Sequence, residues 1–363
     1  MIWKSLTVTS VFNYRFGLNH GFGMSKSANS ASGGRITMDE LAALAGVSPA
    51  TVSRVYSAPD RVSEATRSAV LSVAERHGFH PNRLAGSLRN SKTRIVGIIV
   101  PSLTTSFFAQ TLQSLSRALE AMDYRLMVCS HDYDLDREEQ LLQTLLEWSP
   151  SAIVTTGTAH TRRSLRLMLD APCPIVEMWD LADNPVDTIV GFSNREVGVA
   201  VAHHLWRSGR RNLAFVGRSL ERDQRGAARC SAFVDTIEQL GGQRPQVIAL
   251  PDQSTSSGGA EAFARLAIRG DIDAVAFSND ILALGGLAEA QRLGISVPQD
   301  IAVVGYGDLE FAPSLNPALT TVRLPQKQIG EQVAAILAQR FANGSSENNK
   351  IDLGFELVIR ASG

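Results

Sequence analysis

The stretch TMDELAALAGVSPATVSRVYS, residues 37–57, decides the fold of the N-terminal part of this chain. Thr37 and Glu40 have the spacing of a capping box, which starts a helix, and Gly46 is the residue type that most often follows a helix end. Ser48 is a preferred N-cap residue for a second helix. The stretch therefore predicts two short helices joined by a tight Gly-Val-Ser turn, which is the spacing of a helix-turn-helix.

Apolar residues recur at helical spacing along this segment and predict a small three-helix core. The third helix should begin at Ser63 and end near Gly78. The side chains expected in the core are Leu41, Leu44 and Ala45 of the first helix, Val52 and Val55 of the second, and Val70, Val73 and Ala74 of the third.

A helix-turn-helix places its second helix in the major groove of DNA while its first helix lies across the backbone. Arg54, on the exposed side of the second helix, can pair bidentately with guanine, which contributes about 1–3 kcal/mol of discrimination. Thr51 and Ser53 are expected to contact phosphates and set the register. The DNA-binding residues predicted in this head are Thr37, Ser48, Pro49, Ala50, Thr51, Ser53, Arg54 and Arg61. The alternative is a three-helix bundle with a solvated charged face.

The net charge of −1 is distributed unevenly along the 363 residues. Residues 35–94 carry nine basic against five acidic side chains, and residues 1–34 carry three basic ones and no acid. Residues 95–363 therefore have a balance of −8. A basic end is attracted to phosphates and an acidic body is repelled by them, so this distribution favours nucleic-acid binding through the N-terminal part.

From Arg94 onward, short apolar runs alternate with amphipathic helical segments. The pattern predicts βαβ units, parallel sheets and helices on both faces of each sheet. About 270 residues of it exceed what one hydrophobic core comfortably holds, so two lobes are expected. The predicted strands lie in the runs RIVGIIV, RLMVC, SAIVTT, CPIVEMW, NLAFVG, QVIAL, DAVAFS and IAVVGY.

The helix-turn-helix stretch and the following VSEATRSAVLSVAERHGFHPNRLAGSLRNSKTRIVGIIVP, residues 62–101, closely resemble the head and hinge of LacI/GalR transcriptional regulators. The resemblance runs from Ile36 to the end of the chain. It implies that residues 82–90 form a hinge helix only on the operator, with Leu88 wedged into the minor groove. About eight residues are too few for a stable isolated helix, and Gly86 costs a further ~1 kcal/mol, which fits such behaviour.

The hinge residues expected to contact DNA are Asn82, Arg83, Ala85 and Leu88. The alternative for this segment is that Leu84 and Leu88 pack on a lobe. The expected organisation is a disordered arm over 1–34, with Met24 as a possible true start, a helix-turn-helix domain over 35–80, a hinge over 81–93 and a two-lobed effector-binding and dimerisation core over 94–363.

Polar residues follow several of the predicted strands, where ligands bind in open α/β sheets. By the same resemblance, the core is similar to a periplasmic sugar-binding protein, its loops line a cleft, and the position of Arg229 anchors the effector. Two departures from the family are Ala232, where glycine is common, and Gly307, where aspartate is frequent. The predicted effector-binding residues are Ser102, Phe107, Phe108, Asp180, Arg229, Asn279 and Asp308. The alternatives are a salt bridge for Arg229 and helix caps for Asp180 and Asn279.

The run VEMWDLADNPVDTIVGFSN, residues 176–194, resembles one subgroup, the gluconate-utilisation repressors. A sugar acid suits the candidate site, because Arg229 can pair with a carboxylate and Asp180 can accept hydrogen bonds from hydroxyls. We therefore expect a repressor that binds a palindromic operator as a homodimer, with gluconate or a related sugar acid as inducer. The alternatives are a regulator of the same fold that needs a corepressor or partner protein, and a stand-alone sugar-binding protein.

Other classes are disfavoured by the sequence. Three widely spaced cysteines without a C-x-x-C pair indicate neither a disulfide framework nor a zinc site, and no metal or cofactor is expected. The chain has no G-x-S-x-G or phosphate-binding-loop motif, so an enzyme is not expected. No stretch approaches the roughly 20 apolar residues of a membrane helix, and residues 1–23 do not form a signal-peptide core, so we expect a cytoplasmic protein with no membrane partner.

Overall fold

A computed structural model describes residues 36–80, 93–103, 107–344 and 349–363. The predicted arm and most of the predicted hinge, with Asn82, Arg83, Ala85 and Leu88, lie outside the described residues. The described residues form two compact units, one on each side of the segment 81–92.

The smaller unit contains three helices, and its caps are those that the sequence predicts. Thr37 Oγ1 accepts a hydrogen bond from the Glu40 amide, and the Glu40 carboxylate accepts one from the Thr37 amide at 2.7 Å. Ser48 and Ser63 cap the second and third helices through their hydroxyls. The three helices are Met38–Leu44 (α1), Pro49–Ser57 (α2) and Glu64–Arg76 (α3), with a 3-10 turn at Pro59–Arg61.

The core of this unit matches the prediction except at the end of α1. Leu44, predicted to be buried, has 55% of its surface exposed, while Leu41 and Ala42 are buried. Because successive helical residues are about 100° apart, Leu41, Ala42 and Ala45 share one face and Leu44 points away from it. The buried side chains are Leu41, Ala42, Val52, Val55, Val70, Val73, Ala74 and Phe79.

The larger unit contains two parallel sheets, as predicted, and so confirms a two-lobed α/β core. In the spatial order of the first sheet, the strands are Lys350–Asp352 (β11), Thr188–Gly191 (β5), Ile175–Met178 (β4), Ala152–Thr156 (β3), Ile95–Val100 (β1) and Arg125–Ser130 (β2). The strands of the second sheet are Gln246–Leu250 (β7), Leu213–Arg218 (β6), Ala274–Phe277 (β8) and Ala302–Val304 (β9). Thr321–Arg323 (β10) and Glu356–Val358 (β12) form a short antiparallel pair.

Helices cover both sheets, which explains why strands such as β1 and β3 are buried almost throughout, without an alternation of buried and exposed residues. The helices beside the first sheet are Phe107–Ala121 (α4), Leu135–Glu147 (α5), Arg162–Leu169 (α6) and Gln326–Asn343 (α11). Those beside the second are Asn194–Arg207 (α7), Gln224–Gln239 (α8), Ser256–Arg269 (α9) and Asp280–Leu293 (α10), and a 3-10 turn lies at Ala312–Ser314.

The chain passes between the lobes more than once. After the second sheet it returns to the first lobe, where the Thr111 hydroxyl of α4 donates to the carbonyl of Gln326 at 2.7 Å, at the start of α11. The carboxyl ends of strands from both sheets consequently meet around one cleft.

A buried histidine lies between two buried carboxylates in the first lobe. His160 Nδ1 lies 2.6 Å from Glu138 Oε1, and its Nε2 lies 3.5 Å from Glu177 Oε1. Burial alone lowers the pKa of His160, but the two carboxylates more than offset that effect and raise the pKa to about 9. His160 is therefore a protonated bridge between α5 and β4 at neutral pH.

The His160 bridge predicts a loss of stability in mildly alkaline solution. The pKa of a histidine in the unfolded chain is about 6.5, so the stabilisation is complete below that pH and is lost as the pH rises through about 9. The free energy of unfolding should decrease between pH 7 and 9.5. In His160→Gln the slope of the free energy of unfolding against pH should be smaller. Thermal unfolding at several pH values measures both effects. His203→Gln, a half-buried control in the same unit, should keep the wild-type slope, and an unchanged slope in His160→Gln would contradict the prediction.

Candidate effector cleft and DNA-binding head

A cleft lies in the larger unit, at the carboxyl ends of strands from both sheets. Trp179 follows β4, Ser219 follows β6 and Asn279 follows β8, as expected for a ligand site in parallel α/β sheets. The residues that line it are Phe107, Phe108, Tyr133, Trp179, Arg218, Ser219, Asp223, Arg225, Arg229, Ser278, Asn279 and Tyr306.

Arg229 is held in this cleft by a hydrogen bond and an aromatic ring. Its Nη1 donates to Asn194 Oδ1 at 2.6 Å, and its guanidinium carbon lies 3.9 Å from the centre of the Tyr306 ring. The residue is 7% exposed, and within the described residues its Nε has no hydrogen-bond partner. A buried, orientated guanidinium with an unused donor is suited to bind a carboxylate.

The position of Arg229 depends on a close approach of α7 and α8. A Cβ atom at Gly198 of α7 would lie 2.2 Å from the carbonyl oxygen of Arg229, so a larger residue at 198 would force the two helices apart. Asn194, at the start of α7, also donates from Nδ2 to the carbonyl of Trp179 at 3.0 Å and to Asp180 Oδ1 at 3.1 Å. The helix pair thus links Arg229 to the end of β4.

A second arginine on the same face of α8 was not among the predicted site residues. Arg225 lies one turn before Arg229, is 8% exposed, and lies 5.5 Å from the centre of the Phe108 ring. Its Nε is 3.6 Å from Asp223 Oδ1, and within the described residues its Nη1 has no hydrogen-bond partner. The four-residue spacing from Arg229 is the sequence signal that could have identified it.

Four of the predicted effector-binding residues line the cleft together, namely Phe107, Phe108, Arg229 and Asn279. Asn279 also acts as a helix cap, which was the alternative to ligand binding for this residue. Its Oδ1 caps α10 by accepting a hydrogen bond from the Leu282 amide at 2.9 Å. The cap uses the carbonyl oxygen and leaves the amide nitrogen as the group available to a ligand.

Asp180 and Ser102 lie outside the main cleft. Asp180 lines an adjoining cavity of about 350 Å³, which also shares Tyr133, Asp223 and Arg225 with the main cleft. Burial raises the pKa of Asp180. Ser102 is buried just after β1 and is not among the residues that line either cavity, so its predicted contact with the effector does not fit its position.

Asp308, predicted to bind the effector, is paired with two arginines within the chain. Its carboxylate accepts hydrogen bonds from Arg323 Nε and from Arg360 Nη2, each at 2.6 Å, and the residue does not line either cavity. The two arginines come from later parts of the chain, which sequence spacing does not reveal. Glycine at position 307 has a steric reason, because a Cβ atom there would lie 2.3 Å from Cε1 of Phe107.

The predicted DNA-binding residues of the smaller unit lie at its surface. Arg54, Ala50 and Pro49 are exposed on α2, opposite the buried Val52 and Val55. The remaining predicted residues are exposed, as Thr37, Ser48 and Arg61 are, or half-buried, as Thr51 and Ser53 are. The hydroxyls of Thr37 and Ser48 are engaged in helix caps, with Ser48 Oγ 2.9 Å from Thr51 Oγ1.

A helix-turn-helix head followed by a two-lobed parallel α/β core with a polar cleft defines a class of ligand-responsive DNA-binding regulators. Residues 37–82 match the family model described as "Bacterial regulatory proteins, lacI family", and residues 202–363 match the model of a "Periplasmic binding protein-like domain".

Proteins similar to this chain include named regulators. An HTH-type transcriptional regulator GntR from Pseudomonas aeruginosa is 34% identical over 92% of this chain and 97% of that protein. GntR from Escherichia coli is 30% identical over 89% of this chain and 97% of that protein. A LacI-family transcriptional regulator from Silicibacter pomeroyi has a crystal structure that matches with a TM-score of 0.85 at 30% identity, covering 90% of this chain and 99% of that one.

The chain therefore belongs to the LacI family. It is a DNA-binding transcriptional regulator with an effector-binding domain. In the part of the chain that the structure describes, no helix is long and apolar enough to cross a membrane.

The ion pairs of Asp308 predict a structural role for this residue. Asp308→Asn should lower the free energy of unfolding by about 3 kcal/mol, the lower end of the range for a broken buried pair, because Arg323 is half-exposed. It should leave ligand binding in the cleft unchanged. Chemical denaturation measures the first effect, and Asp271→Asn, which removes the exposed pair with Arg269, should show no measurable change. A variant of normal stability that loses ligand affinity would return Asp308 to the binding site.

Proposed function

We propose that this repressor binds a palindromic operator as a homodimer and is released from it by a sugar acid of the gluconate class. In this proposal residues 35–80 read the operator, residues 81–93 form the hinge, and residues 94–363 bind the effector and pair the protomers. The observation that carries the proposal is Arg229, a buried guanidinium held in the cleft with a donor unused within the described residues.

The chemistry of the cleft supports a polyhydroxylated acid. The guanidinium of Arg229 suits the carboxylate, while the Ser278 hydroxyl and the Asn279 amide nitrogen suit the hydroxyls. Trp179 and Tyr306 offer apolar faces to the carbon chain. The resemblance of residues 176–194 to gluconate-utilisation repressors leads to the same class of ligand.

The proposed dimer is supported by the single DNA-binding head of each chain. Each chain has one short helix-turn-helix in its described residues, and a two-fold symmetric pair of such heads reads two half-sites of a palindrome. The effector changes DNA affinity if it binds more tightly to one arrangement of the lobes than to the other. A regulator that needs a corepressor would use the same cleft, and the effector would then increase operator affinity.

The proposal is tested by fluorescence anisotropy of a DNA fragment from the gene's own upstream region, titrated with protein at fixed salt, with and without gluconate. We expect tight binding that gluconate weakens. Arg229→Gln should bind the same DNA as tightly and lose the response to gluconate. Stronger DNA binding with gluconate would identify a corepressor instead, and a gluconate response that survives in Arg229→Gln would remove Arg229 from the site.

The reading head makes a separate prediction. Arg54→Ala should weaken specific operator binding by about 10- to 100-fold, because one bidentate contact with guanine contributes about 1–3 kcal/mol of discrimination. Binding to unrelated DNA should change much less. Arg76→Ala, which removes an exposed arginine at the end of α3, is the control of equal charge change. Equal losses in the two variants would mean that Arg54 contributes charge and not base recognition.

A further inference from the structure

The effector cleft is rich in arginines. Three arginines, Arg218, Arg225 and Arg229, line the main cleft, and Asp223 is the one acidic residue among its described lining residues. Asp180, in the adjoining cavity, also acts electrostatically on Arg225 and Arg229. A site with more guanidinium groups than carboxylates suits an anionic ligand.

Asp223 is too distant to hydrogen-bond well with these arginines. Its oxygens lie 3.6 Å from Arg225 Nε and 4.0 Å from Arg229 Nη2. Arg225 and Arg229 are each more than nine-tenths buried, and each has a guanidinium nitrogen with no hydrogen-bond partner within the described residues. Buried hydrogen-bond donors without acceptors are rare, so we expect a ligand to supply an acceptor atom for each of the two nitrogens.

The guanidinium groups of Arg225 and Arg229 lie near aromatic rings from different parts of the core. Arg229 lies over the ring of Tyr306, after β9 of the second sheet, and Arg225 lies near the ring of Phe108, on α4 of the first lobe. Arg225 also lines the adjoining cavity, whereas Arg229 does not. Each arginine can therefore donate to its own acceptor atom on a ligand.

The adjoining cavity offers acceptors for the hydroxyls of a ligand. It is lined by the carboxylates of Asp180 and Asp223, together with the guanidinium groups of Arg222 and Arg225. Arg225 therefore lies where the two cavities meet.

We propose that the effector is a dianionic sugar acid, one with a second anionic group at the end opposite its carboxylate, and that Arg225 binds this second group. The inference rests on the proposed function and narrows its class of ligand. A second carboxylate and a phosphate ester have the same relevant chemistry, and both are acceptors for a guanidinium.

The test is isothermal titration calorimetry of the full chain with three ligands. Gluconate has one negative charge, glucarate has the same carbon skeleton with a second carboxylate, and 6-phosphogluconate has a terminal phosphate. We expect at least one of the two dianionic ligands to bind 10-fold or more tightly than gluconate. Which of them binds more tightly identifies the second anionic group.

Variants of the arginines give the test its specificity. Arg225→Gln should reduce the affinity for the preferred dianion to about that for gluconate and leave gluconate affinity nearly unchanged, while Arg229→Gln should weaken all three ligands. Circular dichroism checks that Arg225→Gln is folded. If it is not, Arg218→Gln, at a half-buried position, should show the same selective loss at smaller size.

The outcomes separate this inference from the proposed function. Gluconate binding as tightly as both dianions overturns the inference and leaves the gluconate-class repressor standing. Binding of neutral glucose in the absence of binding by any of the three acids overturns both. A dianion preference that persists unchanged in Arg225→Gln and in Arg218→Gln overturns the assignment of the second group to Arg225.

Discussion

The hydrogen bond between Arg229 and Asn194 is the interaction on which the effector cleft depends. A buried guanidinium is stable only where acceptors replace its lost water, and Asn194 supplies one at 2.6 Å. Asn194 in turn donates to the Trp179 carbonyl and to Asp180, so one hydrogen-bonded series joins α8, α7 and the end of β4. Gly198 allows the close helix packing that this series requires.

The charged groups of the core divide into those that are satisfied within the chain and those that are available to a ligand. His160 bridges Glu138 and Glu177, and Asp308 is paired with Arg323 and Arg360, so these groups stabilise their lobe and the strands that join the lobes. Arg225 and Arg229 differ, because each keeps a buried nitrogen without a partner in the described residues. The charges that stabilise the fold are thus separate from the arginine nitrogens to which we assign the proposed effector.

The head and the core differ in how they are stabilised and in their charge. The head has a core of eight buried side chains and takes much of its local definition from three side-chain caps, so its exposed α2 can carry a reading surface without contributing to the core. The core has an acidic balance, which repels phosphates, while its cleft concentrates positive charge. The head and the cleft are therefore two separate positively charged regions within one nearly neutral chain.

The sequence by itself determined the local structure and the class of fold. Caps, helix spacing and β-branched runs are short-range signals, so they predicted α1 to α3 and the parallel sheets. Phe107, Phe108 and Asn279 were predicted from their positions after strands, and the role of Arg229, within α8, was implied by the family resemblance. Local sequence patterns misjudged the face of a short helix at Leu44, and they did not reveal the ion pairs of Asp308 with Arg323 and Arg360, which lie 15 and 52 residues away. Only the tertiary structure decided which polar groups have partners among the described residues and which remain available to a ligand. That distinction depends on long-range packing, which brings Asn194 to Arg229 within one lobe and Phe108 to Arg225 between the lobes, and no local pattern encodes those pairings.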